Sequence, residues 1–244
     1  MKLGKNFKKK VLILGSSSDI GIEILKIYLE KNFTVLAHYN NGNKKFFDLV
    51  KKNKKKIILF KLNFLNDEKK IIRFFDNSLF NDCNVLINAS GYIKEINYNK
   101  INSKIMLDAL KVNFFPSFFL TMKIGLKMNI RRWGRIVNLG SIGVKFGGGK
   151  SNLPYSFSKH ALEFFPSITK DWVKNNVLIN TVRVGATDTK LHKKLPSKNL
   201  KTRASLIPMK RMAKPKEIAE FIYFLGSNEN TYISNQVLSI SGGE

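Results

Sequence analysis

The 244-residue sequence has one cysteine, Cys83, which excludes an internal disulfide framework and suits a reducing compartment. Acidic residues are scarce: 17 Asp and Glu stand against 43 Lys and Arg, for a net charge of +26. No apolar run of about eighteen residues stands out, so no membrane span is expected. Met1 to Lys10 is basic and polar and lacks the apolar core of a signal peptide, which makes the cytoplasm the expected location. No internal repeat, linker or second domain is visible, and no metal site is expected. What remains is a soluble globular composition, 43% hydrophobic and 25% charged, long enough for one large α/β core.

The positive charge admits three readings. A nucleic-acid or membrane-surface partner is one, and an acidic substrate or carrier protein is another. The third is a lysine-rich solvated surface. The lysines are scattered (Lys8–Lys10, Lys51–Lys56, Lys69–Lys70, Lys193–Lys194) and form no tract with interleaved aromatics, which favours the third reading. No nucleic-acid partner is expected.

Strand and helix patterns alternate along the chain. Val11-Leu12-Ile13-Leu14 is a short continuous apolar run, the mark of a strand buried on both faces of a parallel sheet. Gly15-Ser16-Ser17-Ser18-Asp19-Ile20-Gly21 follows, then an amphipathic helix to Leu29. Strand, small-residue turn and helix together make a phosphate-binding device, because backbone N–H groups and the positive helix end face one point. A plain tight turn with a helix cap at Ser18 or Asp19 is the alternative. Further strands are predicted at Phe33–Ala37, Ile57–Leu62, Val85–Ile87, Arg135–Leu139, Val177–Val182 and Gln236–Ile240. Helices are predicted from Asp67 to about Asn77, as a long stretch from roughly Ser103 to Asn129, around Tyr155 and from Pro215. Pro166 should break or kink the Tyr155 helix. Phe114, Phe115, Phe118 and Phe119 read as core or subunit interface. The basic, weakly periodic segment Lys190–Lys214 reads as a mobile lid.

Tyr155 and Lys159 are four residues apart, hence on one helical face. A lysine beside a phenol favours the phenolate and draws its pKa towards neutrality, which makes a usable acid/base. Ser141 ends the apolar run Arg135–Leu139, fourteen residues earlier, and can converge on the same carbonyl oxygen. Alone the spacing is a weak signal, since it recurs by chance on exposed helices.

Taken together, Gly15-x5-Gly21, Asn88-Ala89-Ser90-Gly91, Asn113, Ser141, Tyr155-x3-Lys159, Gly185 with Thr189, and Gly242-Gly243 resemble the short-chain dehydrogenase/reductase family, and its 3-oxoacyl-[acyl-carrier-protein] reductase-like members in particular. The resemblance runs from about Lys9 to the end. It implies one α/β domain over residues 1–244, a Rossmann-type doubly wound parallel sheet of seven strands with helices on both faces. It also implies an NAD(P)(H)-dependent oxidoreductase interconverting a carbonyl and a secondary alcohol. By resemblance Tyr155 is the general acid/base, Ser141 holds the substrate oxygen, Lys159 lowers the Tyr155 pKa and bonds the nicotinamide ribose, and Asn113 supports a relay water near Lys159.

The implied cofactor contacts are Gly15, Ser17, Ser18, Ile20 and Gly21; His38, Tyr39 and Asn40; Asn63 and Phe64; Asn88 to Gly91; Tyr155 and Lys159; and Gly185, Thr187 and Thr189. An acid after the second strand would grip the 2′-hydroxyl of NAD. None occurs between Lys31 and Phe47, while His38, Lys44 and Lys45 are near, so NADP(H) is favoured over NAD(H). Asp19 argues the other way. Asp19, Ala89, Ser90, Asn63, Val184 and Thr187 depart from the family pattern; all touch cofactor binding and none is Ser141, Tyr155 or Lys159. The substrate is a small or carrier-bound carbonyl or alcohol, with a sugar, polyol or surface-polysaccharide precursor as the alternative. A non-catalytic nucleotide-binding protein is a third possibility, against which the intact Ser-Tyr-Lys set speaks. A homo-oligomer, tetramer or dimer, follows from the same resemblance.

Overall fold

The structure, a computed structural model, describes residues 9–66, 68–190 and 200–244. Seven strands form one sheet in the order β3-β2-β1-β4-β5-β6-β7. They are β1 (Lys10–Leu14), β2 (Thr34–Tyr39), β3 (Ile57–Lys61), β4 (Val85–Asn88), β5 (Gly134–Leu139), β6 (Val177–Val184) and β7 (Gln236–Ile240). Every neighbouring pair is parallel. The order reverses between β1 and β4, which opens a crevice beyond their carboxyl ends, where an open parallel sheet binds ligands.

The helices are α1 (Asp19–Glu30), α2 (Lys44–Lys52), α3 (Glu68–Phe75), α4 (Ser103–Asn113), α5 (Phe115–Ile130), α6 (Leu153–His160), α7 (Ser167–Trp172), α8 (Leu200–Leu206) and α9 (Pro215–Leu225). Alternate strand residues point to opposite faces, and here both faces are covered. Val11 and Ile13 pack with Ile22, Leu25 and Ile222 of α1 and α9. Leu12 and Leu14 pack with Leu120, Ile124, Phe74 and Trp172 on the other face. Double coverage explains why the central strands read as unbroken apolar runs. Gly125 admits the Trp172 ring, which a Cβ there would meet at 2.3 Å.

The stretch 103–130 departs from expectation twice. It is apolar enough for a membrane span by length and composition, yet it is two helices of 11 and 16 residues. Neither reaches the roughly 20 residues a span needs. The break falls at Phe114, where Pro116 opens α5 at its favoured first-turn position. Phe114, Phe115 and Phe118 are half-buried and Phe119 is exposed, so they flank the core rather than fill it. The Tyr155 helix ends at His160 and Pro166 precedes α7, as a ring without an N–H requires. The predicted start of α3 at Asp67, the basic N-terminus through Lys8, and residues 191–199 of the expected lid lie outside the described residues. The rest of that segment carries α8 and a parallel bridge from Thr187 to Ala213.

Arg135 is buried at the start of β5 with no carboxylate partner among the described residues. It donates to the carbonyls of Gly134, Asn176, Ser227 and Asn230 and lies 4.6 Å from the Trp133 ring centre. Burial draws its pKa down to about 10, still charged at neutral pH. It ties β5 and the start of β6 to the loop after α9, keeping the sheet beneath the crevice rigid.

Candidate active site

The crevice is a cleft of about 1000 Å³ running from Asn41 and Asn43 at one end to Phe146, Leu206 and Pro208 at the other. Its floor is the turn from β1 into α1. Gly15 has φ +70°, and Ser16 donates through both its N–H and its Oγ to the His38 carbonyl, at 2.9 and 2.8 Å. Ser18 caps α1 by accepting from the Gly21 N–H at 3.0 Å. A Cβ on Gly21 would stand 2.3 Å from the Gly15 carbonyl oxygen, so only glycine lets the helix start this close under the turn. Gly15, Ser17, Ser18 and Ile20 line the cleft, and Gly21 lies behind it as a spacer.

Asp19 lines this floor at the first turn of α1 and accepts from the Lys190 N–H at 2.6 Å. The carboxylate thus satisfies a backbone donor beyond β6 while occupying the positive end of α1, where an anion is favoured.

His38 lines the cleft as expected, but it is not a cation there. It is 3% exposed, its Nδ1 accepts from the Gly15 N–H at 3.2 Å, and its Nε2 lies 3.0 Å from the Leu62 carbonyl. Burial pulls its pKa down to about 4, so at neutral pH it is uncharged and offers a 2′-phosphate no cation. The expected attraction at this end rests on Lys44 and Lys45 alone, and Lys45 is paired with Glu23 at 2.9 Å. Tyr39 packs on Phe46 and Phe47 instead of lining the cleft. Asn40 lines it, as do Asn63 and Phe64, with the Asn63 side chain accepting from the Leu65 N–H at 3.0 Å.

Along the middle wall stand Ala89, Ser90 and Gly91; Asn88 is fully buried beneath them. The Ser90 Oγ is buried without a hydrogen-bond partner, and a Cβ on Gly91 would meet nothing within 4 Å. An orphaned donor beside open space is what a bound dinucleotide would use, so these residues fit one. Opposite, Gly185 is held by its N–H to the Ile240 carbonyl, and the Thr187 Oγ1 donates back to the Gly185 carbonyl. Thr187 and Thr189 both line the cleft.

The far wall carries Ser141, Tyr155 and Lys159. Ser141 follows β5, its Oγ accepts from the Gly143 N–H at 3.1 Å, and it is hydrogen-bonded to Tyr155. Burial raises the Tyr155 pKa, and the Ser141 bond works against that rise. The sequence reading has Lys159 lower the phenol. Here the Lys159 Nζ donates to the carbonyls of Ser90 and Leu139, at 2.9 and 2.8 Å. Its long stem carries the ammonium to the strand ends, and the lowering that opposes burial at Tyr155 comes from Ser141. Burial draws Lys159 itself down to about 7, while the two carbonyls favour its charged form.

Asn113, fully buried and absent from the cleft wall, spends its amide on protein partners. It accepts from the Tyr92 N–H at 2.7 Å and donates to the Tyr92 carbonyl and the Ser158 Oγ. It thereby clamps the segment after β4 to α6, the helix that carries Tyr155 and Lys159.

Several lining residues escaped the sequence reading. Tyr92, Ile93, Ile142, Phe146 and Leu206 make the outer end apolar, and Arg203 pairs with Glu244 there at 2.5 Å. Asn41 and Asn43 line the opposite end. The first group comes from separate segments with no shared motif; Asn41 and Asn43 adjoin a strand end and were within reach of a longer reading of β2.

A parallel sheet with a serine, tyrosine and lysine facing a dinucleotide-sized crevice at its switch point defines a class of oxidoreductases. The family model described as Enoyl-(Acyl carrier protein) reductase matches residues 15–244. The 3-oxoacyl-[acyl-carrier-protein] reductase of Aquifex aeolicus is 29% identical over 241 residues, 96% of each chain. The solved 3-oxoacyl (acyl-carrier-protein) reductase of Agrobacterium tumefaciens C58 with NADP bound has a TM-score of 0.83 at 18% identity, covering 97% of this chain and 94% of that one. A protein described as an NAD(P)-dependent gluconate 5-dehydrogenase from Beutenbergia cavernae has a TM-score of 0.85 at 24% identity, over 96% of each chain. The chain therefore belongs to the short-chain dehydrogenase/reductase family and is an NAD(P)-dependent oxidoreductase of carbonyls and alcohols.

Proposed function

We propose that the protein reduces 3-oxoacyl groups carried on acyl carrier protein, with NADPH preferred over NADH. The observation that carries the reaction is the joint presence of Ser141, Tyr155 and Lys159 on one wall of the cleft. A nicotinamide bound in this cleft would supply or accept the hydride. Tyr155 gives its proton to the oxygen of the reduced carbonyl, and Ser141 donates a hydrogen bond to that oxygen as its charge grows. Lys159 returns the proton to Tyr155 through a chain of hydroxyls or water, while Asn113 fixes α6, the helix that carries both, and the lowered Lys159 pKa suits such exchange near neutral pH. Gly15, Ser17, Ser18 and Ile20 would hold the diphosphate, Ser90 and Gly91 the nicotinamide side, and Asn40, Asn63 and Phe64 the adenosine.

The substrate reading rests on the Aquifex relative and on the apolar outer end of the cleft, which suits an acyl chain. The NADP preference rests on Asn40, Asn41 and Asn43 at the adenosine end and on exposed Lys44 beside them, with no carboxylate among these residues. Leu126 and Ile130 of α5, Phe157 of α6, Phe164, and Ile168 of α7 are exposed apolar side chains through which the chain would self-associate, as a dimer or tetramer in the cytoplasm. NADPH consumption with a 3-oxoacyl carrier-protein thioester tests the reading. Turnover at least tenfold above that with sugar acids and polyols is expected; the reverse order would move the assignment to a sugar or polyol dehydrogenase.

A further inference from the structure

His38 occupies the place where a dinucleotide site of this fold chooses between two cofactors, at the carboxyl end of the second strand. Its own geometry gives it other work. The imidazole is a bridge between two separate parts of the cleft. On one side its Nδ1 receives the N–H of Gly15, the first residue of the phosphate turn. On the other its Nε2 faces the carbonyl of Leu62, the residue before Asn63. The ring is stacked on Phe64, 4.4 Å between centres and 27° between planes, and tilted against Phe74 at 5.5 Å. The His38 carbonyl takes both the N–H and the Oγ of Ser16. One residue thus holds the turn that faces a diphosphate and the segment that faces an adenine.

The bonds also fix the proton. Leu62 offers only a carbonyl, so Nε2 must carry the hydrogen; Gly15 offers only an N–H, so Nδ1 must be bare. Only the neutral Nε2–H tautomer satisfies both partners. The groups packed on the ring are the Gly15 and Leu62 backbone and the Phe64 and Phe74 rings, none of them charged. Gly15 itself is at φ +70°, and a Cβ there would stand 2.6 Å from the Ala89 carbonyl oxygen. A turn this constrained is shaped before any ligand arrives.

We infer that His38 is a positioning residue that preorganises the phosphate turn for either nicotinamide cofactor, and not a reader of the 2′ substituent. The inference rests on the proposed use of the cleft for NAD(P)(H). A turn that is competent only part of the time binds every ligand more weakly by that fraction, whatever the ligand carries elsewhere. Removing the bridge should therefore cost NADH and NADPH the same factor.

The test is a fluorescence titration of NADH and NADPH with wild type, His38→Phe and His38→Gln. Phenylalanine keeps the stacking but leaves the Gly15 N–H without an acceptor, and affinity for both cofactors should fall by roughly tenfold, the scale of a buried donor left unpaired. Glutamine carries an acceptor and a donor on one carbon, as the imidazole does across Cε1, and should recover most of the loss. A loss confined to NADPH, or no loss at all, would overturn the inference. Wild type binding neither cofactor would instead overturn the reading of the cleft, and this inference with it. Nitrogen-15 spectra of the wild-type histidines give a readout that needs no variant to fold. A bare Nδ1 and a protonated Nε2 on His38 are expected with and without cofactor, and the opposite tautomer would contradict the bridge.

Discussion

The two ends of the cleft have diverged from the family pattern to different degrees. At the catalytic end Ser141, Tyr155 and Lys159 are the family's residue types. At the phosphate end Asp19 and Asn63 are not, and each has been taken up by the protein itself, Asp19 by the Lys190 N–H and Asn63 by the Leu65 N–H, beside a His38 bonded to Gly15 and Leu62. Groups that must meet a reacting atom have little freedom. Groups that shape a backbone turn can be exchanged, provided each N–H and carbonyl still finds a partner.

The contrast is broken most severely at Tyr155. Tyr155→Phe should lower kcat by roughly 10²- to 10⁴-fold, the worth of a positioned acid/base, and leave NADPH affinity unchanged. Steady-state rates beside a cofactor titration check both halves; unchanged turnover would remove Tyr155 from the reaction.

The next effect lies in the pH dependence of stability. His38 is held neutral in the folded state with a pKa of about 4, against the ordinary 6.5 of a free histidine. The unfolded chain therefore takes up a proton between these values that the folded protein refuses, and stability falls as pH drops from about 6.5 to 4. The loss is up to about 3 kcal/mol from this one group. Denaturant titrations across that window should show His38→Phe losing less stability than wild type; parallel profiles would mean that His38 is not held neutral by the fold.

Gly21→Ala sharpens the picture of the turn. Its Cβ would stand 2.3 Å from the Gly15 carbonyl oxygen, and the displacement should cost about 1–3 kcal/mol of stability, with weaker binding of both cofactors. Thermal unfolding and the same titration measure it. Asp19→Asn should have the smallest effect and opposite signs on two scales. Losing an anion at the start of α1 costs about 0.3–1 kcal/mol of stability, whereas relieving repulsion of the diphosphate raises NADPH affinity a few-fold at low salt. Equal affinity at low and high ionic strength would place Asp19 out of range of the phosphates.

Much of this was readable in the residues. The unbroken apolar runs at Val11–Leu14 and Val85–Ile87 announced strands covered on both faces, and motif spacing put Ser141 and Tyr155 on one wall. Other features were not readable for physical reasons. The break at Phe114 was signalled by Pro116, but the apolar periodicity on either side ran through it. A second strand ending at Ala37 leaves His38 in the following loop as a cation. Continued to Tyr39, its alternation puts His38 on the buried face with Leu36. The reach of Lys159 to the Ser90 and Leu139 carbonyls depends on the stem's rotamers and on strand ends 20 and 69 residues away in sequence, which spacing on one helix does not encode. The Arg203–Glu244 pair joins two distant segments that share no pattern.

One measurement bears most directly on a rebuilt phosphate end serving an intact catalytic end. Wild type and Tyr155→Phe are each saturated with NADPH, mixed with a 3-oxoacyl thioester, and the nicotinamide fluorescence is followed through a single turnover. The account predicts that both bind NADPH equally and that only wild type loses the signal rapidly. Failure of wild type to bind NADPH, or equal rates of loss in the two proteins, would contradict it.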